Sequence, residues 1–357
     1  MSNDDKQQAA PPPETSWLLR MYSRLNRNPG LRAKLRYGLL PGAFDREHRA
    51  VLAGIKRYHE NERGNQVNRY LLRRNTHRLE KGLLMRPRRD IFALDYIEAT
   101  MEVYAQATAR CCADAPEEDR VEWQWAHDVL AEYFAVTGSH PKIDRLRERF
   151  DALNPSAARG VTHETLSKPY LRDLEGAPPV GYEQMAALAK RRRSVRWYLD
   201  KPVDRALVDR AILVAAQAPS ACNRQPFNFR IYDDPNRVAA LAELPMGTAG
   251  FGHNIPMILA IVGRLRAYFH PRDRHLIYID GSLAAMSLMF ALETLGLSSC
   301  SLNWPDIGTR EKKITRLLKL EPDERVVMLL SIGYPDPEGL VAYSQKKTLD
   351  QLRSYND

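Results

Sequence analysis

The stretch Pro219-Ser-Ala-Cys-Asn-Arg-Gln-Pro226 closes a helix-patterned run, Arg205–Ala216, and opens a strand-patterned one, Phe227–Tyr232. The Pro-Ser pair ends the helix, because proline has no N–H to give and crowds the preceding turn. Asn223 and Gln225 then offer amide donors and acceptors side by side. Paired amides can match the carbonyl and N–H groups along the edge of a planar heterocycle.

Upstream, a helix over Tyr182–Arg192 runs into Arg192-Arg193-Ser194-Val195-Arg196. Guanidiniums and a hydroxyl this close together can fork around a phosphate and neighbouring hydroxyls. Downstream, two further strands are predicted over Pro256–Gly263 and Arg325–Ile332. Between them Gly281–Leu295 is apolar on nearly every face, which predicts a helix buried all round. It leads into Leu295-Gly-Leu-Ser-Ser-Cys-Ser-Leu-Asn-Trp304, expected to be a loop that can aim a backbone N–H at a bound molecule. Mixed strands and helices with one buried helix make an α+β domain over 182–357.

The segment Gly176-Ala-Pro-Pro-Val-Gly181 reads as a boundary, and residues 17–175 before it read as a mostly helical domain. There apolar residues recur at three-to-four spacing, as in Leu130, Tyr133 and Phe134. Residues 1–16 are rich in alanine, proline and polar side chains and read as a disordered lead. A length of 357 residues agrees with two domains. No apolar run has the roughly 18 uncharged residues of a membrane span, the longest being Leu283–Leu292. The start lacks the pattern of a secretory signal, so a cytoplasmic location is expected. Cys111, Cys112, Cys222 and Cys300 form no C-x-x-C pair, which favours free thiols and gives no metal site. The net charge of +9 is accompanied by no nucleic-acid-binding motif, so no nucleic-acid partner is expected.

Two clusters in the helical half admit more than one use. Trp17, Leu18, Met21, Tyr22 and Leu25 share one side of a helical wheel, opposite Arg20, Arg24 and Arg27. Packing on the rest of the protein is the commoner use of such a stripe. Peripheral contact of residues 17–27 with an anionic membrane surface is the other. Further on, Arg73, His77 and Glu80 share a helix face, with Lys81 one turn after His77. They could hold an acidic substrate or relay a proton, or form an ordinary solvated face ended by Gly82 as a C-cap.

Arg-Arg-Ser-Val-Arg, then Ala-Pro-Ser-Ala-x-Asn-x-Gln-Pro, then Ala-x-x-x-Leu-Gly-Leu, in this order and spacing, resemble the FMN-dependent nitroreductase superfamily. The resemblance spans about 183–352, and the helical extension before it has no counterpart in the minimal members. It implies a nitroreductase-like mixed sheet flanked by helices, and a homodimer with FMN at each of two interfacial sites. Carried over by motif, Arg192, Arg193, Ser194 and Arg196 would contact the phosphate, the ribityl chain or the pyrimidine edge. Pro219, Ser220, Ala221, Asn223 and Gln225 would approach the same flavin from the other subunit. Leu302, Asn303 and Trp304 align with the loop whose N–H meets flavin N5, and Lys346 and Lys347 match the basic pair at the phosphate. Ser301 stands where that loop usually opens on proline, and Trp304 where glycine is frequent. Before the second strand only His253 and Asn254 offer a cation or an amide.

The activity so implied is an FMN oxidoreductase that takes hydride from NADH or NADPH and passes it to an electron-poor small molecule. A nitro compound, quinone, enone or biosynthetic intermediate would serve. No side-chain nucleophile or general base is required, since the cofactor carries the hydride chemistry. Alternatives are a flavin-dependent dehydrogenase or oxidase, a flavin-fragmenting enzyme, or a non-catalytic membrane-associated scaffold.

Overall fold

The computed structural model describes residues 37, 42, 44–63, 67–110, 115–153, 166–172 and 175–356. The Trp17–Leu25 stripe, the lead over 1–16 and the Cys111–Cys112 pair lie outside them. By contacts the chain divides after Ala50. In the first unit the Tyr37 and Phe44 rings meet edge to face at 5.1 Å.

Residues 51–357 form the second unit. Its helical layer contains α1 (Asp45–Arg63, the part from Val51 onward), α2 (Arg69–Leu83), α3 (Ile97–Arg110), α4 (Glu117–Val136) and α5 (Pro141–Ala152). The Asn68 side chain caps α2 by accepting from the Leu71 N–H at 3.1 Å, meeting one of the donors that a helix start leaves free. Leu72, Leu79, Ile97, Met101, Trp123, Leu130, Tyr133 and Ile143 form a dry core within this layer. One buried polar edge there is paired, Trp123 Nε1 donating to Thr108 Oγ1 at 2.8 Å. Gly82 does not cap α2, which runs on to Leu83. Its missing side chain makes room for the Phe92 ring, which a Cβ would run into.

The second half contributes α6 (Tyr182–Arg191), α7 (Arg205–Ala215), β1 (Phe227–Tyr232), α8 (Pro235–Ala242) and β2 (Met257–Arg264). It continues with α9 (Leu276–Thr294), β3 (Ser298–Leu302), α10 (Gly308–Leu318), β4 (Glu324–Gly333) and the short α11 (Leu349–Leu352). The strands lie in the order β1-β2-β4-β3, each pair antiparallel. Among the described residues parallel pairing is confined to one bridge, Ser194 to Ser299. The expected loop after the long helix is therefore a strand over Ser298–Leu302. Its serine-rich sequence has little strand propensity, and the pairing with β4 supplies what the residues do not.

The long helix α9 also departs from expectation. Together with the short turn before it, over Pro271–Thr294, it is long and apolar enough to cross a membrane by length and composition, yet half of it is buried in the protein. One side packs Ile277, Ala284, Leu288 and Leu292 against the sheet and α7. The other side is open in the single chain: Ile279 is 47 % and Leu283 43 % exposed, with Met286 and Phe290 half-buried along the same stripe.

The helical layer and the sheet interlock. Phe269, which follows β2, sits in the helical core with its ring 5.7 Å from that of Tyr58. The α1 backbone at Gly54 comes so near Leu265 that a Cβ would lie 2.7 Å from the Leu265 carbonyl carbon. Asp323 is fully buried and takes Arg57 Nη1 at 2.8 Å and Arg266 Nε at 2.7 Å. A buried carboxylate is tolerable only with such partners.

Candidate functional site

The segment after α6 is fastened to the edge of the sheet. The Val195 N–H donates to the Ser299 carbonyl at 3.1 Å and the Leu199 N–H to the Tyr334 carbonyl at 2.9 Å. Val195 and Tyr198 point into the core, while the Tyr198 hydroxyl donates to the Val195 carbonyl at 2.8 Å. Asn254 locks the same turn, accepting from the Tyr198 N–H at 2.9 Å and donating to the Arg196 carbonyl at 3.0 Å. The amide noted before the second strand is thus structural, and His253 rests against Trp197 at 5.9 Å between ring centres. In an extended segment alternate side chains face opposite ways. Burying Val195 therefore turns Ser194 and Arg196 outward.

They open onto a small cleft of about 80 Å3 lined by Arg192, Arg193, Ser194, Arg196, Ser344 and Lys346. Arg193 is held by the carbonyls of Ala342, at 2.6 Å, and Tyr343. The Arg192 Nε is buried and has no hydrogen-bond partner. No carboxylate lines the cleft. An orphaned guanidinium N–H among cations with no acid opposite is the donor set of an anion site, and a phosphate fits it. Lys347 is exposed and does not line the cleft.

Arg196 also lines a second cleft, of about 210 Å3, with Met246, Phe251, Cys300, Ser301, Leu302 and Asn303. The floor of this cleft is strand β3 and its exit. Leu302 and Asn303 are brought together with Arg196, but Trp304 turns away, its indole N–H bonded to Glu311. Burial pushes the Tyr198 hydroxyl and the Cys300 thiol above their usual ranges, so both stay neutral. Among the described residues no group of three His, Cys, Asp or Glu converges as metal ligands.

The Pro219–Gln225 turn is fixed by a residue that no motif singles out. Asp280 on α9, only 2 % exposed, accepts from the Ser220 hydroxyl at 2.7 Å and the Ala221 N–H at 3.0 Å. The Ser220 oxygen in turn accepts from the Gln225 N–H at 2.8 Å. Cys222, Asn223 and Gln225 carry positive φ of 53°, 49° and 48°. Non-glycine residues pay roughly 1–3 kcal/mol for such a backbone, so it persists only where surroundings enforce it. The Asn223 side chain accepts from Gln225 Nε2 at 3.3 Å and lines a cavity of about 630 Å3 with Arg69, Arg73, Glu122, Trp125 and Ser167.

The His77 cluster is neither a solvated face nor part of the cation cleft. His77 Nδ1 lies 3.0 Å from Glu80 Oε2, and the other Glu80 oxygen accepts from Trp125 Nε1 at 2.9 Å. Lys81 points to solvent.

One consequence can be measured. A Cβ on Gly333 would meet the Tyr198 ring at 2.6 Å and Pro256 at 2.8 Å. Gly333→Ala is expected to cost about 1–3 kcal/mol, because two rigid rings must move. Urea denaturation reads this, and an unchanged midpoint would show that the Tyr198 anchor is not tight.

The helices over a four-stranded antiparallel sheet, with a cation-lined cleft at its edge, define an α+β domain. The nitroreductase family model matches residues 189–249 and 236–334, in the C-terminal half of the chain. Iodotyrosine deiodinase 1 of Pongo abelii is 25 % identical over 193 residues, covering 46 % of this chain and 66 % of that protein. An NADH dehydrogenase of Thermus thermophilus is 28 % identical over 197 residues, covering 46 % of this chain and 93 % of that one. Among solved structures, an FMN-dependent nitroreductase of Clostridium difficile R20291 aligns at a TM-score of 0.42 and 26 % identity, over 48 % of this chain and 99 % of its own.

Proposed function

We propose that this protein is an FMN-dependent oxidoreductase that draws on NADH or NADPH, reduces an electron-poor small molecule, and works as a homodimer. The family match supports a flavin oxidoreductase in general. The observation that carries the finer reading is the pair of clefts joined at Arg196, one lined with cations and the other floored by backbone-rich strand β3.

In this reading Arg192, Arg193, Ser194 and Lys346 hold the phosphate. Arg196 sits between phosphate and ring, where its charge favours a reduced, anionic ring system. Leu302 and Asn303 present the strand exit to the ring edge. FMN, when bound, supplies the hydride chemistry, and the protein contributes position and charge. The apolar stripe Ile279, Leu283, Met286 and Phe290 supports the dimer, since helical apolar faces this regular are usually covered. The exposed side chains Leu340, Tyr343, Leu349, Leu352 and Tyr355 along the C-terminal stretch support it too.

Anaerobic mixing with NADH or NADPH tests the reading. The yellow absorbance of the holoprotein is expected to bleach quickly and to return on adding a quinone or nitroaromatic. Negligible bleaching by both nucleotides rules out the reductase and leaves flavin-dependent oxidation as the surviving chemistry.

A further inference from the structure

We infer that the helical layer is a working part of the cofactor site, and that Arg73 is the residue through which it acts. The inference rests on the flavin reading above, joined to the family resemblance by which the Pro219–Gln225 turn would approach the flavin of the other subunit. From the sheet side, Asp280 holds the start of that turn through Ser220 and Ala221. On the sheet side its far end is tied at Gln225, through the Ser220 oxygen, and at Pro226, whose carbonyl accepts from the Arg264 N–H at 2.7 Å, which leaves the left-handed middle at Asn223 to another support. There the Asn223 carbonyl accepts a hydrogen bond from Arg73 Nε at 2.9 Å, across 150 residues of chain.

Arg73 is itself held on several sides. Its guanidinium lies 5.3 Å from the centre of the Trp125 ring, and its Nη1 is 3.7 Å from Glu122 Oε1. The indole is fixed by Glu80, and Glu80 by His77. Glu122 is fixed by Arg69 Nε at 2.8 Å. The face noted in the sequence as Arg73, His77 and Glu80 is thereby a bracket whose tip is the Arg73 N–H. Its load is a turn with left-handed Cys222, Asn223 and Gln225, a conformation that relaxes unless pinned. A charged donor on the Asn223 carbonyl stabilises that backbone more than a neutral one would. Arg73 is a positioning residue: it acts on the cofactor through Asn223.

The test uses the full chain, first without flavin. Amide hydrogen exchange over 219–226 is compared in wild type, Arg73→Gln and Arg73→Lys. Loss of a charged hydrogen bond should speed exchange in Arg73→Gln by about tenfold or more, and lysine, which can still donate, should restore most of the protection. A thermal melt of each variant confirms that the rest of the fold is intact. Equal protection in Arg73→Gln and wild type overturns the bracket whether or not the protein binds flavin. FMN titration follows, with affinity expected about tenfold weaker in Arg73→Gln and recovered in Arg73→Lys. A loosened turn with unchanged FMN affinity overturns the role in the cofactor site. A wild type that takes up no FMN defeats the flavin reading instead, and the exchange experiment alone then decides the bracket.

Discussion

Arg196→Ala is expected to weaken FMN binding about 100-fold, the scale of one or two charge-assisted hydrogen bonds lost. Arg196 is the side chain common to both clefts. Its Nη1 reaches the Ser194 carbonyl at 3.4 Å and its guanidinium lies 5.8 Å from the Phe251 ring centre, while the residue is exposed in the single chain. Arg196→Lys should recover only part of the loss, because an ammonium cannot fork across two acceptors. Fluorescence titration measures both variants, and an alanine variant with wild-type affinity would remove the central residue from the proposed site.

Leu283→Glu is expected to convert the protein to a monomer and to strip most of its flavin. Leu283 is 43 % exposed in the single chain, in mid-stripe on the open side of α9. A two-fold interface uses each residue twice, so the substitution removes two leucines and buries two carboxylates. With about 1.5–3 kcal/mol per lost leucine and a further charge penalty, the dimer constant should weaken by roughly a thousandfold or more. Light scattering across a dilution series reads the mass, and absorbance near the flavin maximum reads the occupancy. A variant that stays dimeric places the interface elsewhere on the chain.

Sequence alone located the cation-lined cleft where its members are neighbours along the chain. Arg192 to Arg196 are contiguous, so their convergence needs only a local turn and one buried valine. Strand β1 was legible because Phe227–Tyr232 is rich in aromatic and branched residues. Strand β3 was not, since Ser-Ser-Cys-Ser has no such signal and becomes a strand only beside β4. The open face of α9 was hidden for a different reason. A helix apolar all round shows that every side is covered by something, without telling its own chain from a second copy. Asp280 and Asn254 reach their targets across 60 and 56 residues, and a single sequence holds no mark of such pairings. Arg73, His77 and Glu80 stood out as a shared helix face, but their purpose depends on Trp125 and Asn223, which only folding brings near.

The interlock around Phe269, Gly54 and Asp323 bears on how this protein can be dissected. Excising residues 182–357 as a stand-alone catalytic fragment would bare an aromatic ring, open the strip at Leu265 on which α1 lies, and take Arg57 from a carboxylate with no access to water. This sheet is built to carry its helical layer. Truncation at the proline-rich linker would amputate rather than simplify.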